Sequence, residues 1–427
     1  MPPNGKRQQL SPPDVLSNIL ESVMDDILMR LPLRDAVRTS ILSKKWRHNW
    51  CRLPQLRLDE ALWKTKRDLT DLTSNFTKII YHILTLHAGP ITKFTLSIPH
   101  LDGCPNIDNF FYFLSRNDTQ HLVLELPTGG NRYKLPSSFF TCLHLRHLTL
   151  NNTLFHPPPV FKGFERLISL ELSNVTISSE LLGSLISHCL LLEHLVLKDS
   201  HDSNPIEISA PKLRSFVLSG KIHLIHLKHV PLLSNVSYEP TEFSLETEHD
   251  LAKIFESIPA VENLRWEFSN QDANPGPIEV IPTRLPYALN CLKRLYLSRI
   301  FLQEFFEFSF ALCLIRSSPN LEEIEIEACA SSDEDFCEPV PRDAIDEIPA
   351  SFSDMTFNHL RTVTIYDVAG GRAEMQLIKV LLAKSPALIR MVIKPCGMED
   401  KKSFKILAEI TKFQRASSKA EVVYNVD

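Results

Sequence analysis

Cys142 to Asn174 reads CLHLRHLTLNNTLFHPPPVFKGFERLISLELSN, and two six-residue runs within it decide the fold. Leu145-Leu148-Leu150 and Leu167-Leu170-Leu172 share one spacing, an apolar residue, two others, an apolar residue, one other, an apolar residue, with starts 22 residues apart. Two leucines flanking a single residue have the period of a strand, so both point to one face and the residue between them to the other. The pattern extends outward in both directions. Leu192-Leu195-Leu197 and Leu213-Phe216-Leu218 follow at intervals of 25 and 21 residues. Leu233-Val236-Tyr238, Val261-Leu264-Trp266, Leu292-Leu295-Leu297, Leu321-Ile324-Ile326, Leu360-Val363-Ile365 and Leu388-Met391-Ile393 continue it less regularly. With Ile91-Phe94-Leu96 and Thr119-Leu122-Leu124 before them, there are twelve candidate units. A strand with one apolar stripe is unstable alone, whereas stacked neighbours bury one another's stripes. The series therefore predicts one parallel strand per unit, with return segments, helical at Ser179 to Cys189 and Phe305 to Arg316, covering the inner side.

This spacing resembles the leucine-rich repeat, in the irregular variant found in plant F-box proteins, and implies an α/β solenoid of about twelve units. The residue inside each pair then faces a concave surface: Thr149, Glu171, Val196, Val217, Ser237, Arg265, Tyr296 and Glu325. Arg265 and Tyr296 are of the types enriched at binding hot spots. Together with Glu171 and Glu325 they are the candidate contacts for a target protein; ordinary solvent-facing strand residues would show the same alternation.

Upstream, Leu16 to Trp50 reads LSNILESVMDDILMRLPLRDAVRTSILSKKWRHNW. Ser22 is placed to cap a helix whose apolar positions Val23, Ile27, Leu28 and Leu31 form one stripe, with Asp25 three residues past the cap and Pro32 as the stop. Asp35 is placed to cap a second segment, and Ser43 a third that carries Trp46 and Trp50 four residues apart. The three segments hold too few apolar groups for an independent core. Leu31-Pro32, Arg34 to Ser40 (RDAVRTS) and Leu42 to Arg47 (LSKKWR) resemble the plant form of the F-box, the module by which substrate receptors join a cullin-RING ubiquitin ligase. The resemblance implies that Ile19, Leu20, Ile27, Leu28, Leu31, Pro32, Leu33, Asp35, Val37, Ser40, Leu42 and Trp46 grip a Skp-type adaptor and, through it, the cullin and RING subunits. The family pattern has Leu-Pro where this chain has Ile19-Leu20. Proline there presets the backbone and loses no needed donor, so its absence removes preorganisation while keeping apolar contact. Periodicity alone equally allows the three segments to be a cap on the next domain.

Composition bounds the rest. At 427 residues and 44% hydrophobic, the chain can bury a large core. A net charge of -5 argues against a general nucleic-acid surface. Residues 1 to 60 hold 10 Lys or Arg against 7 Asp or Glu, whereas 320 to 350 hold 11 acids against Arg342 alone. Nine cysteines with no C-x-x-C pair indicate neither a disulfide framework nor a zinc site. The first residues carry no apolar h-region and no run of eighteen apolar residues follows, so an intracellular protein of the nucleus or cytoplasm, off the membrane, is expected. The N-x-S/T sequons at Asn75, Asn117, Asn151, Asn174 and Asn235 are then chance.

Phe76, Ile79, Ile80, Ile83 and Leu84 recur at helical spacing within Asp59 to Ala88, which stops at Gly89-Pro90. That helix would fix the N-terminal module against the repeats or shield the first strand's edge. Ser331 to Glu347, acidic and interrupted by Pro339 and Pro341, has the composition of a solvated loop. Phe357 to Pro395 predicts a strand, a Gly370-Gly371 turn, a helix to Lys384 and a strand, a unit similar to the FBD domain of plant F-box proteins. The expected division is 1–57 F-box, 58–90 helical linker, 91–350 repeats and 351–427 FBD region.

Catalytic candidates are few. His223, His226 and His229 fall three residues apart, but KIHLIHLKHVPLL favours a strand or turn over the helix that would align three imidazoles for a metal. P-loop, G-x-S-x-G and H-E-x-x-H patterns are absent from the sequence. A non-catalytic receptor without a cofactor, or a scaffold that binds through its repeats without engaging a ligase, is the expectation.

Overall fold

The computed structural model describes residues 19–62, 72–101, 106–128, 130–199, 204–220, 225–240, 248–268, 281–329, 340–397 and 400–425. They fall into two compact units, residues 1–167 and 168–427.

The first unit begins with helices α1 (Glu21–Arg30) and α2 (Leu33–Arg38), followed by single 3-10 turns at Thr39–Ile41 and Asn49–Arg52. Their starts differ from the expected ones. Leu20, not Ser22, is the N-cap of α1, and Ser22 lies inside the helix. The Leu20 carbonyl accepts the first backbone N–H groups, from Val23 and Met24, so the turn closes without a side-chain cap. Pro32, not Asp35, precedes α2: its carbonyl accepts from the Asp35 and Ala36 amides, and its fixed φ suits a helix start. Asp35 sits in the first turn, where its charge complements the helix dipole. Ser43 opens no helix; residues 44–48 are turns. The inward stripe of α1 is Met24 and Leu28, with Val23 and Ile27 turned outward.

The chain then enters strand β1 (Gln55–Asp59), so the expected boundary between 57 and 58 falls inside a strand. Leu53-Leu56-Leu58 has the repeat spacing and was a unit the pattern count passed over. Helix α3 (Leu72–Leu86) leads to β2 (Lys93–Ser97), α4 (Asp108–Ser115), β3 (His121–Glu125), β4 (Tyr133–Lys134), β5 (His147–Asn151) and β6 (Thr153–Leu154). Strands β1, β2, β3 and β5 pair parallel in that order, and β4 pairs with β6. Leu56, Phe94, Leu122 and Leu148 share one inward row, and Leu58, Leu96, Leu124 and Leu150 the next. Where helical returns are lacking, rings fill the inner side: Phe139 meets Phe111, Phe140, Phe155 and Phe164 edge-on, with centroids 5.0 to 6.3 Å apart.

The second unit alternates strands with returns: β7 (Ser169–Ser173), α5 (Ser179–His188), β8 (His194–Lys198), β9 (Ile206–Ser209), β10 (Ser215–Gly220), β11 (Ile225–His229), β12 (Asn235–Pro240), α6 (Glu248–Glu256) and β13 (Asn263–Glu267). It continues with β14 (Arg294–Ile300), α7 (Phe305–Ser317), β15 (Glu323–Ala328), α8 (Arg342–Ser351), β16 (Thr362–Val368), α9 (Arg372–Lys384), β17 (Arg390–Pro395), α10 (Asp400–Ile410) and β18 (Glu421–Tyr424). The long strands β7, β8, β10, β12, β13, β14, β15, β16, β17 and β18 pair parallel in that order, and β9 pairs with β11. All twelve predicted units carry a strand, each with its paired apolar positions buried and the residue between them outward. Trp266 anchors the inner layer between Tyr238 and Phe310, with ring centroids 5.5 and 4.6 Å away.

Of the expected solvated loop Ser331 to Glu347, residues 331–339 lie outside the described residues, and from Arg342 on the chain is helix α8 (Arg342–Ser351) instead, because Ile345, Ile348 and Phe352 recur at helical spacing and are buried. His226 and His229 lie exposed on strand β11, as the strand reading expected, while His223 lies outside the described residues. The turn at Gly370-Gly371 needs its first glycine: Gly370 has φ +79°, and a Cβ there would stand 2.5 Å from Ile406 Cδ1.

Candidate docking surfaces

The N-terminal helices bury little of themselves. Met24, Leu28, Leu33, Ala36, Trp46 and Trp50 point inward, while Leu20 (71% exposed), Val23, Ile27, Met29, Ile41 (87% exposed) and Leu42 stand in solvent. Side-chain bonds hold the turns in place: Lys45 Nζ donates to the Ile19 carbonyl, Thr39 Oγ1 to the Ala36 carbonyl at 2.6 Å, and Arg34 Nη1 to the Ala61 carbonyl at 3.3 Å. The same helices also expose the charged residues Asp25, Asp26, Arg30 and Arg38.

Of the residues expected to grip an adaptor, Leu20, Ile27, Pro32, Asp35 and Leu42 are exposed, and Ile19, Leu31, Val37 and Ser40 are half-buried. Leu28, Leu33 and Trp46 lie inside the unit, so they support the surface from beneath; Trp46 is only 2% exposed. Met29 and Ile41 belong to the exposed set and were not anticipated. Ile41 follows α2 in a 3-10 turn, where helical periodicity no longer predicts facing. Leu20 adopts φ −62°, the angle a proline would impose, so the departure from Leu-Pro changes the residue and keeps the geometry.

In the second unit, the outward residues of adjacent strands form rows. Glu171, Val196, Val217, Ser237, Arg265, Tyr296, Glu325 and Thr364 share one row by strand register. A shallow groove of about 460 Å³ crosses β10 to β15 and gathers Arg265, Tyr296 and Glu325 with Asn235, Asn263 and Arg294. Glu171 lies on the row but outside this groove, and Thr149 belongs to the first unit.

The groove is ordered from within. The Arg265 guanidinium stacks over the Tyr296 ring, 4.2 Å from its centroid, a cation–π contact that presets both side chains. Arg294 reaches Glu323 at 3.3 Å and Asn263 Oδ1 at 3.2 Å, and Asn263 Nδ2 donates to Asn235 Oδ1 at 2.7 Å. The Tyr296 hydroxyl donates to Glu327 at 3.4 Å. Burial first, then the neighbouring glutamates, push the Tyr296 phenol up against the opposing pull of Arg265, so it stays a donor. This arrangement can bind a polypeptide through stacking and paired hydrogen bonds.

Among the described residues, no group of three or more His, Cys, Asp or Glu could hold a metal ion, and no helix is long and apolar enough to cross a membrane. Burial pushes the Cys142 thiol up to about 12 and the Cys313 thiol to about 11, which disfavours the thiolate at both.

Residues 12–57 match the F-box domain family, and residues 107–254 match the family described as FBD-associated F-box protein At5g56370, LRR repeats. The F-box/FBD/LRR-repeat protein At1g13570 of Arabidopsis thaliana is 33% identical over 422 residues, which cover 97% of this chain and 99% of that one. The F-box/FBD/LRR-repeat protein At1g80470 of the same plant is 27% identical over 51% of this chain and 47% of its own length. Among solved structures, an internalin from Listeria monocytogenes aligns over 82% of this chain and 94% of its own at 11% identity with a TM-score of 0.35, a likeness on which nothing here rests.

Proposed function

The chain belongs to the family of F-box/FBD/LRR-repeat proteins, and from that premise we propose that it is the non-catalytic substrate receptor of an SCF-type, cullin-RING ubiquitin ligase. Its N-terminal face takes the Skp-type adaptor, which brings the cullin and RING subunits. The sheet face of the second unit takes the target protein, with Arg265, Tyr296 and Glu325 in its groove and Glu171 further along the same row. Such a receptor works in the nucleus or cytoplasm and needs no cofactor of its own. It accelerates by proximity, holding a target lysine near the charged ubiquitin carrier so that the effective concentration rises without a catalytic residue in this chain.

The observation that carries this reading is the uncovered apolar surface of Leu20, Val23, Ile27, Met29, Ile41 and Leu42 on a small helical module. Burying one such side chain fully is worth about 1.5–3 kcal/mol. A module that leaves six exposed is built to be covered.

The test is recovery of the full-length protein from plant cells beside a variant carrying Arg265→Ala and Tyr296→Ala. Both should bring down the Skp-type adaptor, and the variant alone should lose the proteins stabilised by proteasome inhibition. Recovery without adaptor, where other F-box proteins bring it down, would leave a scaffold that binds through its repeats.

A further inference from the structure

Strand β18 pairs with β17 on one side, and among the described residues no strand pairs with its other side. Glu421 and Asn425 donate their amides to the Ile389 and Ile393 carbonyls, so alternation along the strand turns the Val422 and Tyr424 amides and carbonyls to the open side. These same two residues continue the inward apolar rows, Val422 beside Met391 and Tyr424 beside Ile393. Met391 and Ile393 are buried; Val422 and Tyr424 are half-exposed for want of a neighbour.

Helix α10 leans over this edge without closing it. Its Ser403 hydroxyl bonds the Tyr424 hydroxyl at 3.0 Å, which fixes the helix to the strand. Between them lies a hollow of about 220 Å³ lined by Phe404, Leu407 and Tyr424, with Asp400 at its rim. Phe404 is 68% exposed there, an unusual state for a phenylalanine on a helix that buries Ser403, Ile406 and Ile410.

Charge names the occupant. Lys401, Lys402, Lys405, Lys412, Arg415 and Lys419 are all exposed around this end, against Asp400, Glu409 and Glu421, in a chain whose net charge is -5. None of the five lysines makes an ion pair among the described residues, and although Lys402 also acts on the Glu374 carboxylate, the six cations outnumber the three acids at this end.

We infer that the free edge of β18 and the hollow under α10 form a second docking site, for an acidic segment of a partner protein. The segment adds as an extended strand to the Val422 and Tyr424 amides, places one large apolar side chain against Phe404 and Leu407, and lays its carboxylates near the lysines. Main-chain bonds supply affinity in this mode, and the alternate side-chain pocket supplies selection. The site shares no lining residue with the Arg265–Tyr296 groove.

The full-length protein would be titrated into a fluorescein-labelled acidic peptide, DEVDLDVED, and into KKVKLKVKK as its charge-reversed counterpart. The acidic peptide should bind and the basic one should not, with affinity falling as salt screens the lysines. Val422→Pro removes a donor that faces away from β17, where an edge strand tolerates proline, so it should weaken the acidic peptide at least tenfold with the melting temperature held. Phe404→Asp, at an exposed position, should do the same and decides the matter if the proline variant fails to fold. No binding by the natural protein, equal binding of both peptides, or full affinity in Phe404→Asp would overturn the site. A concentration-dependent dimer lost in Val422→Pro would also overturn it, by assigning the edge to a second copy of the chain.

Discussion

The N-terminal helices and the strand repeats of the second unit solve the same problem in opposite ways. Each is made of short segments with one apolar stripe, too small to stand alone. The repeats close their stripes against one another: Leu195 on β8 sits in line with Leu170 on β7 and Phe216 on β10, and all three are buried. The helices close only half of theirs. Met24 and Leu28 face inward while Leu20, Ile27, Ile41 and Leu42 remain in solvent. On the proposed reading, the adaptor's surface is marked by unfinished burial and the target's surface by polar residues on a finished scaffold. One is apolar and the other is a lattice of Arg265, Tyr296, Arg294 and glutamates, preset by its own contacts.

The largest expected effect is at Trp46. It is buried with the N-terminal helices' own inner side chains, so Trp46→Ala should cost about 3–5 kcal/mol of stability, as for other large-to-small core changes. Denaturant titration of the full chain measures it. If the midpoint holds while adaptor binding is lost, Trp46 is a contact and the boundary between inside and outside has been drawn in the wrong place.

In the repeats, Leu195→Ala should open a cavity between adjacent strands and cost about 2–5 kcal/mol. Adaptor affinity of the folded fraction should not change. A comparable loss at both measurements would mean that the two surfaces are not separable.

How legible these two regions were in the sequence differs for the same physical reason. All twelve predicted strands are present because LxxLxL states facing and spacing together, and stacked units leave little freedom once both are set. Strand β1 obeys the rule at Leu53-Leu56-Leu58 and escaped notice beside the helical motif; β18 escaped because Lys419 stands where the first apolar residue belongs. In the helices, motif letters identified the module, yet every proposed cap was displaced. Ser22, Asp35 and Ser43 are good cap residues, but Leu20 and Pro32 carbonyls already close the first turns of α1 and α2, and tertiary contacts decide the rest. Helix α8 was hidden by composition, since its acids and prolines suggested solvent while Ile345 and Ile348 carried the signal. The groove's residues were visible as outward positions; that Arg265 stacks on Tyr296 was not, because strand neighbours some thirty residues apart cannot be paired from spacing alone.

A smaller effect distinguishes the second unit by its pH response. Burial, with Glu304 adding and the Phe301 amide opposing, pushes the half-buried Glu307 carboxyl up to about 8 from an ordinary value of 4.5. The folded chain thus keeps a proton there that the unfolded chain releases. The stability this proton contributes is fully present below about 4.5 and is lost as pH rises through 8. Melting temperatures taken from pH 5 to 8.5 should fall less in Glu307→Gln than in the natural protein. Parallel curves would show that Glu307 titrates as an exposed carboxylate.

The smallest change sharpens the docking face itself. Leu20 already holds the proline angle, and its amide donates to no carbonyl among the described backbone bonds. Leu20→Pro should therefore stabilise by about 0.4–1 kcal/mol through the unfolded chain. Destabilisation instead would mean that the leucine side chain holds α1 in place.

The most direct measurement is calorimetric titration of a purified Skp-type adaptor into the full-length protein and into a variant carrying Ile27→Asp and Ile41→Asp. Both side chains are exposed in the free chain. The natural protein should bind with a negative heat-capacity change, the mark of apolar burial, and the variant should lose binding with an unchanged melting temperature. Equal affinity in the two proteins would contradict the claim that the uncovered N-terminal surface is where the partner sits.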